Sequence, residues 1–434
     1  MSSVRDRLRR HRPFAVFSAS TALVLAAIAG GYALSAATVL ERAAEGEGFE
    51  TIGRVLRARG ASDLEAMRMQ ADDLLATLIS CSLAAYGLVA SIYALVRSGV
   101  RRRWIPLALA GYWLAFETCA SPPLARGLGL RNYYFVTDVD HLPIDGNSDN
   151  VRSEREAQEY GEEDFNIVFL GDSFTYGLRV EREQTFAHGV ERILNAALSE
   201  RGLGGRVSTI NFGWASSSPL LSLRRLQHIG AKYHPDLVAL CVDMTDFHDD
   251  IKYASMLQRR GVYWLYDKIP LTLKVIDEVL PRVSRKLRRW TNADLPEQRF
   301  FASAAPLEET RPYFAPLVEN VGRIDEWCGE RDIPFVLFVL PRAYQYSADE
   351  SPDNWEAARY SVLGPYSHEP FRFFDELRSR VEFPIHSLLP AFQATAVFPT
   401  CFRDDPHWTP AGHDVAAEAI AVALQAQVLE QLVR

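Results

Sequence analysis

Short apolar runs alternate with longer amphipathic stretches through the last two thirds of the chain. The runs read FNIVFLG, RVSTINFG, DLVALCVD, IPFVLFVLP and FPIHSLLP, at residues 165–171, 206–213, 236–243, 333–341 and 383–390. The central three are almost continuously apolar, as strands covered on both faces are. Each run therefore predicts a β-strand.

Amphipathic stretches with helical spacing fill the intervals between these runs. The predicted helices cover residues 182–201, 220–233, 316–331, 370–381 and 410–432. Strands that alternate with helices predict an α/β domain with a parallel sheet, here over residues 164–434. In such sheets the reactive residues lie at the carboxyl ends of the strands.

Two segments depart from this alternation. Residues 251–302 are apolar on one side and basic toward their end, which predicts an insertion. Its pattern fits a cover over the site and also fits contact with an anionic membrane surface. Residues 127–163 form a polar, acidic connector with room for one or two extra strands.

The first third of the chain has the pattern of a membrane region. Apolar runs lie at about 13–40, 74–96 and 104–124, and each is at least as long as the roughly 20 residues that a spanning helix needs. They predict a helical transmembrane region over residues 1–126. The first run is also compatible with a signal peptide. The third contains Glu117, so it is also compatible with a membrane-surface or buried helix.

Arginine placement predicts the orientation of these helices. Five arginines precede the first run and four lie between the second and the third, so both segments are expected in the cytoplasm. Three spans make a multi-pass plasma (inner) membrane protein whose domain faces outward, into the periplasm of a Gram-negative cell. If the third run does not span, the domain is cytoplasmic.

Charge and cysteine spacing exclude several classes of protein. The net charge is −8, so no basic field points to nucleic acid. The five cysteines form no C-x-x-C pair, and the acidic residues after the third strand lack EF-hand spacing. Neither a metal nor a cofactor is therefore predicted.

The candidate chemistry lies in two short motifs. GDSF follows the first strand and puts Ser173 on a strand-to-helix turn, a position that suits a nucleophile. Asp404 and His407 lie three residues apart in the loop before the last helix. That spacing lets the Asp404 carboxylate orient the imidazole while Nε2 of His407 serves Ser173.

This combination resembles the SGNH hydrolase superfamily, also called the GDSL family, over about residues 164–432. The resemblance implies a three-layer parallel-sheet fold, with Ser173 as nucleophile and the N–H groups of Ser173 and Gly213 in the oxyanion hole. Thr245 stands where the family has an asparagine that completes this hole. Either its hydroxyl substitutes, or another group reaches in, or the domain is a weakened or inactive relative. The residues predicted to line the substrate site are Asp172, Asp246, Arg342, Tyr344 and Trp408.

The run HWTPAGH resembles the membrane-associated, alginate-type O-acetylation branch of this superfamily. It implies a membrane-anchored serine acyl-ester enzyme, an O-acetyltransferase or O-acetylesterase that acts on an extracytoplasmic polysaccharide. The expected partners are the lipid bilayer, a glycan or other acyl ester, and a membrane-bound acyl donor protein. The alternative is a non-catalytic glycan-binding or assembly-partner subunit with a degenerate fold.

Overall fold

A computed structural model describes residues 146–258 and 296–433, apart from positions 162 and 297, together with seven single residues between 86 and 117. Backbone contacts divide the chain into two compact units, Met1–Asn132 with Gly261–Arg289 and Tyr133–Arg260 with Trp290–Arg434. Apart from the single residues, the predicted membrane helices at 13–40, 74–96 and 104–124 lie outside the described residues. So does most of the predicted insertion.

Five parallel strands form the sheet of the second unit, in the spatial order β2-β1-β3-β4-β5. They are β1 (Asp164–Leu170), β2 (Arg206–Asn211), β3 (Leu237–Val242), β4 (Phe335–Val339) and β5 (Ile385–Ser387). The predicted parallel α/β sheet is therefore confirmed, and each strand lies inside the apolar run that predicted it, except that β1 begins one residue earlier, at Asp164.

Helices cover both faces of this sheet. The α-helices are α1 (Ser173–Tyr176), α2 (Phe186–Glu200), α3 (Pro219–Ile229), α4 (Asp246–Gln258), α5 (Leu307–Thr310), α6 (Ala315–Gly329), α7 (Glu369–Leu377), α8 (Leu389–Ala394) and α9 (Pro410–Val433). Short 3-10 helices cover Ala157–Glu159, Arg182–Gln184, Gly230–Tyr233, Phe301–Ser303, Arg311–Phe314, Ala343–Gln345 and Ala357–Arg359.

Two apolar cores, one on each face, explain why the strands are apolar throughout. Val168 and Leu170 of β1 pack in the core that includes α3, α4, α6 and α7. Ile167 and Phe169 point to the opposite face, into the core that includes α2, α8 and α9. Successive strand residues alternate between faces, so a strand covered on both sides is apolar at every position.

The ends of the segment predicted as an insertion belong to the domain core. Helix α4 continues to Gln258, and Ile251 and Tyr253 are buried along it. On the return side Phe300 is fully buried. The described part of the connector, residues 146–161, contains a single helical turn and no strand, while Val151 and Tyr160 are buried in the core.

Within the described residues, one helix is long and apolar enough to cross a membrane, Pro410–Leu432 of α9. Its composition has an explanation in the fold. Ala417, Ile420 and Leu424 of this helix are buried in the core between α9 and the sheet.

Candidate active site

Ser173 stands at the carboxyl end of β1, as the first residue of α1. Gly171 makes the turn possible, because a Cβ on it would lie 2.1 Å from the side-chain oxygen of Thr175. Asp172 then caps α1 by accepting a hydrogen bond from the Phe174 N–H at 2.9 Å. The Ser173 hydroxyl is therefore fixed above the end of the sheet.

His407 reaches Ser173 from the loop that precedes α9. Its Nε2 lies 2.7 Å from the Ser173 Oγ, across 234 positions of the sequence. The imidazole also packs against the Phe174 ring, with 5.0 Å between ring centroids. The structure thus brings together the serine and the histidine that the two motifs suggested.

Asp405, and not Asp404, binds the imidazole. The Asp405 Oδ1 accepts hydrogen bonds from His407 Nδ1 and, at 3.0 Å, from the His407 backbone N–H. Asp404 instead pairs with Arg179 at 2.8 Å, and its side chain is 44% exposed. The predicted pairing of Asp404 with His407 is therefore corrected.

The physical reason is a local turn. An aspartate that accepts a hydrogen bond from the N–H two residues later forms an Asx-turn. In Asp405-Pro406-His407 this turn holds the carboxylate beside the ring of the same histidine. The three-residue spacing on which the prediction rested favoured Asp404, and this turn overrides it.

The electrostatics suit a general base. Burial by itself raises the pKa of Asp405, but the charge of His407 and its hydrogen bonds hold that pKa at about 2. Burial lowers the pKa of His407, but the charge of Asp405 and the hydrogen bond to it outweigh burial and raise that pKa. With Nδ1–H donating to Asp405, Nε2 is the nitrogen that accepts the Ser173 proton.

Gly213, the second residue predicted for the oxyanion hole, lies against α1. A Cβ on Gly213 would come within 2.5 Å of the Tyr176 nitrogen, so only glycine allows this approach. Its N–H donates to Asn211 Oδ1 at 3.0 Å. An oxyanion bound by this N–H must therefore share it with Asn211 or displace that bond.

Thr245 is already committed to another acceptor. Its hydroxyl and its backbone N–H both donate to Asp243 Oδ1, each at 2.7 Å. Asp243 in turn pairs with Arg342 at 2.6 Å. The predicted role of Thr245 as an oxyanion donor therefore requires its hydroxyl to leave a buried carboxylate.

The residues predicted to line the substrate site are buried in its framework instead. Arg342 binds Asp243 and Glu356, and it is 3% exposed. The Tyr344 hydroxyl donates to Ser303 at 2.9 Å.

Trp408 is fully buried and packs against Phe174 and Phe392. Asp246 is 1% exposed and accepts the Asp243 N–H at 2.7 Å, and Asp172 is 3% exposed. Chain position placed all five predicted lining residues near the site, but these contacts direct them away from solvent.

Two carboxylates that were not predicted for the site hold Arg342, whose guanidinium lies 5.0 Å from the centroid of the Phe174 ring. Glu356 reaches Arg342 from a loop with no recognisable motif. Asp243 belongs to the acidic residues after the third strand, which were considered only as metal ligands. Burial and the charge of Asp243 raise the pKa of Asp172 to about 7, although Arg342 opposes this shift.

In the described part of the chain, no group of three or more His, Cys, Asp or Glu side chains is arranged to hold a metal ion. Cys241, Cys328 and Cys401 are free thiols, and all three are buried. The candidate nucleophile and base are Ser173 and His407, on the hydrogen bond between them.

No family model and no curated protein matches this chain. The solved structures that resemble it include a putative lipolytic protein of the G-D-S-L family from Desulfitobacterium hafniense, at 11% identity and a TM-score of 0.33. The match covers 60% of this chain and 100% of the Desulfitobacterium chain. A lipase/acylhydrolase from Enterococcus faecalis is 15% identical at a TM-score of 0.35, with 61% and 96% covered.

A two-domain esterase active on acetylated mannans is 14% identical at a TM-score of 0.32, with 62% and 50% covered. These three structures are a lipolytic protein, a lipase/acylhydrolase and an esterase, and the first of them is of the G-D-S-L family. At such TM-scores the resemblance carries no conclusion about activity, which rests on the geometry around Ser173.

The two neighbouring aspartates give a matched pair of variants. We expect Asp405→Asn to lower kcat for an ester substrate by about 10⁴-fold, because the imidazole loses the carboxylate that fixes its tautomer. Asp404→Asn removes only a partly exposed ion pair, worth about 0–1 kcal/mol, and leaves kcat near that of the wild type. A larger loss for Asp404→Asn than for Asp405→Asn contradicts this assignment.

Thr245 can be tested in the same assay. Thr245→Val removes a buried hydrogen bond to Asp243, which we expect to cost about 1–3 kcal/mol in the free energy of unfolding. Because that hydroxyl faces Asp243, kcat should fall by far less than the roughly 10²–10³-fold loss of an oxyanion donor. A loss of that size, absent in Thr245→Ser, would show that the hydroxyl does serve the oxyanion.

Proposed function

We propose that this protein is a serine acyl-ester enzyme that works through an acyl-serine intermediate. The observation that carries the proposal is the unbroken chain of hydrogen bonds from Ser173 to His407 to Asp405, with 2.7 Å between Ser173 Oγ and His407 Nε2. A serine needs a base and a group that orients that base before it becomes a useful nucleophile. All three groups lie in a buried, pre-arranged line.

The geometry suggests the following sequence of bond changes. The Ser173 oxygen attacks the acyl carbonyl carbon while its proton moves to Nε2 of His407. The carbonyl oxygen becomes an oxyanion, which the backbone N–H groups of Ser173 and Gly213 stabilise. The tetrahedral intermediate then expels the alcohol, which takes the proton from His407 and leaves an acyl-serine.

A second alcohol or a water molecule completes the cycle. It attacks the acyl-serine, passes its proton to His407, and expels Ser173, which recovers that proton. If water attacks, the enzyme is an esterase; if a sugar hydroxyl attacks, it is an O-acyltransferase. The same three residues serve both reactions, so the residues that surround the site determine which acceptor can enter.

We place this reaction on an extracytoplasmic polysaccharide, with an acetyl group as the acyl unit. The support is in the sequence: three apolar runs before the domain, arginines on the cytoplasmic side, and HWTPAGH, which resembles the O-acetylation branch. The lipid bilayer anchors the protein in this proposal. A membrane-bound acyl donor protein is the partner that a transferase needs.

A non-catalytic glycan-binding or assembly subunit is the second candidate. The observation that favours it is the commitment of the Thr245 hydroxyl to Asp243, which leaves no side-chain donor at the position of the family asparagine. Retention of Ser173, His407 and Asp405 in hydrogen-bonding geometry favours the enzyme, because binding alone needs none of these contacts.

Following the acetyl group distinguishes these activities. Full-length protein in detergent receives an acetyl-ester donor, with and without oligosaccharides, and mass spectrometry locates the acetyl group. We expect acetyl on sugar in the wild type, none in Ser173→Ala, and wild-type behaviour in Ser199→Ala, a surface control on α2. Release to water alone identifies an esterase. Absence of Ser173-dependent turnover, together with no labelling of Ser173 by a fluorophosphonate, supports the binding subunit.

The raised pKa of His407 predicts the acid side of the pH profile. Asp405 and Asp172 favour the charged imidazole and Arg342 disfavours it, and the net effect raises the pKa. Only the neutral ring can accept a proton, so kcat/KM should fall as the pH is lowered. The midpoint of this fall should lie above about pH 6.5, the ordinary pKa of histidine.

Asp405→Asn should move that midpoint to lower pH, because it removes the nearest negative charge. The rate of fluorophosphonate labelling, measured from pH 4 to pH 9 (about the usable range for His titration), gives both midpoints. Asp404→Asn is the control and should keep the wild-type midpoint. An unchanged midpoint in Asp405→Asn would contradict the assignment.

A further inference from the structure

The described part of the connector is built into the domain beside the nucleophile. Asn147 accepts the backbone N–H groups of Asp149 and Val151, and its own Nδ2 donates to the Tyr233 hydroxyl at 2.9 Å. The Arg152 N–H then donates to the Asn211 carbonyl at the end of β2, at 3.3 Å. The backbone of Arg152 is therefore anchored at the carboxyl end of β2.

From this anchored segment the Arg152 side chain reaches the turn that follows Ser173. Its Nη1 donates to the carbonyls of Tyr176 and, at 2.7 Å, of Gly177, and its Nη2 donates to the Val180 carbonyl at 2.5 Å. The guanidinium also lies 4.2 Å from the centroid of the Tyr176 ring. One side chain thus holds three successive parts of the turn.

Two of these carbonyls, those of Tyr176 and Gly177, lie at the C-terminal end of a short helix, and the Gly177 carbonyl also accepts the Val180 N–H at 3.3 Å. Helix α1 has 4 residues, and Gly177, which caps its C-terminus, has a left-handed φ of 78°. The N–H groups of Gly177 and Leu178 fold back onto the Ser173 carbonyl, at 3.0 and 3.1 Å. The last carbonyls of a helix need outside donors, and a planar cation with several N–H groups supplies them.

The same segment also holds the turn that carries Gly213. Asn211, whose carbonyl accepts the Arg152 N–H, donates its Nδ2 to the Thr175 carbonyl at 2.7 Å and accepts the Gly213 N–H at 3.0 Å. Arg152 is therefore tied to the nucleophile turn by its side chain and to the Gly213 turn by its backbone. Those two turns supply the two backbone N–H groups of the oxyanion hole.

We propose that Arg152 is a positioning residue that sets the distance between the N–H groups of Ser173 and Gly213. This inference rests on the proposed function, in which Ser173 is acylated. The effect acts through α1, which spans a single turn, so a shift of the carbonyls at its end moves the Ser173 backbone at its start. A displacement of about 1 Å at a reacting group costs about 10²-fold in rate.

Arg155 is a matched control within the same segment. It stacks on Tyr160 at 4.1 Å, much as Arg152 stacks on Tyr176. Its hydrogen bonds go to Ser208, Glu159 and Asp164, away from the nucleophile turn, and the bond to Asp164 is also an ion pair. Loss of either arginine removes a cation, a ring contact and several hydrogen bonds, but only Arg152 contacts the turn after Ser173.

The experiment measures the acylation burst of the full-length protein with p-nitrophenyl acetate, together with KM and the thermal unfolding midpoint. We expect Arg152→Ala to acylate about 10²-fold more slowly than the wild type with little change in KM. Ethylguanidinium should restore part of this rate, because it can occupy the vacated position. Arg155→Ala should acylate at the wild-type rate and should not respond to ethylguanidinium.

Arg152→Lys keeps the positive charge and most of the aliphatic side chain, and it replaces Arg152→Ala in the experiment if Arg152→Ala does not fold. A single ammonium cannot hold three carbonyls in a fixed fork, so this variant should fold and still acylate more slowly than the wild type. Wild-type acylation in Arg152→Lys, or equal losses in the Arg152 and Arg155 variants, would overturn the inference. A wild type that shows no burst and no Ser173 labelling would instead overturn the proposed function.

Discussion

A buried ion pair beneath the nucleophile holds the candidate site together. Arg342, which follows β4, binds Asp243 at the end of β3 and Glu356 in a later loop. Its guanidinium also lies 5.0 Å from the centroid of the Phe174 ring, next to Ser173. Loss of one partner from such a pair leaves an uncompensated buried charge, which typically costs about 3–5 kcal/mol. The ends of two strands and the start of α1 therefore depend on one cation.

The same pair explains where the acidic side chains of the site point. Asp243 uses one oxygen for Arg342 and the other for the hydroxyl and N–H of Thr245. This carboxylate therefore holds both the hydroxyl and the backbone N–H of Thr245. A motif that looks degenerate in the sequence is thus part of a satisfied buried network, as buried polar groups require.

The connector shows that the domain and the site have different boundaries. Apolar periodicity begins at β1, because periodicity reports burial against the sheet. Arg152 lies before that point, yet it binds the turn after Ser173 through backbone carbonyls and the turn before Gly213 through Asn211. Contacts of this kind leave no periodic pattern, so a polar and acidic stretch was the only feature that the sequence offered.

Residue patterns were enough to predict the parallel sheet, the helices on both of its faces, and the meeting of Ser173 with His407. Apolar spacing specifies which residues are buried, and strand order then brings the carboxyl ends together. The choice of Asp405 over Asp404 needed the folded loop, because a local turn sets which carboxylate reaches the ring. The burial of Trp408 and Arg342, and the contacts of Arg152 with the nucleophile turn, depend instead on residues far apart in the chain, whose hydrogen bonds form only within narrow limits of distance and angle.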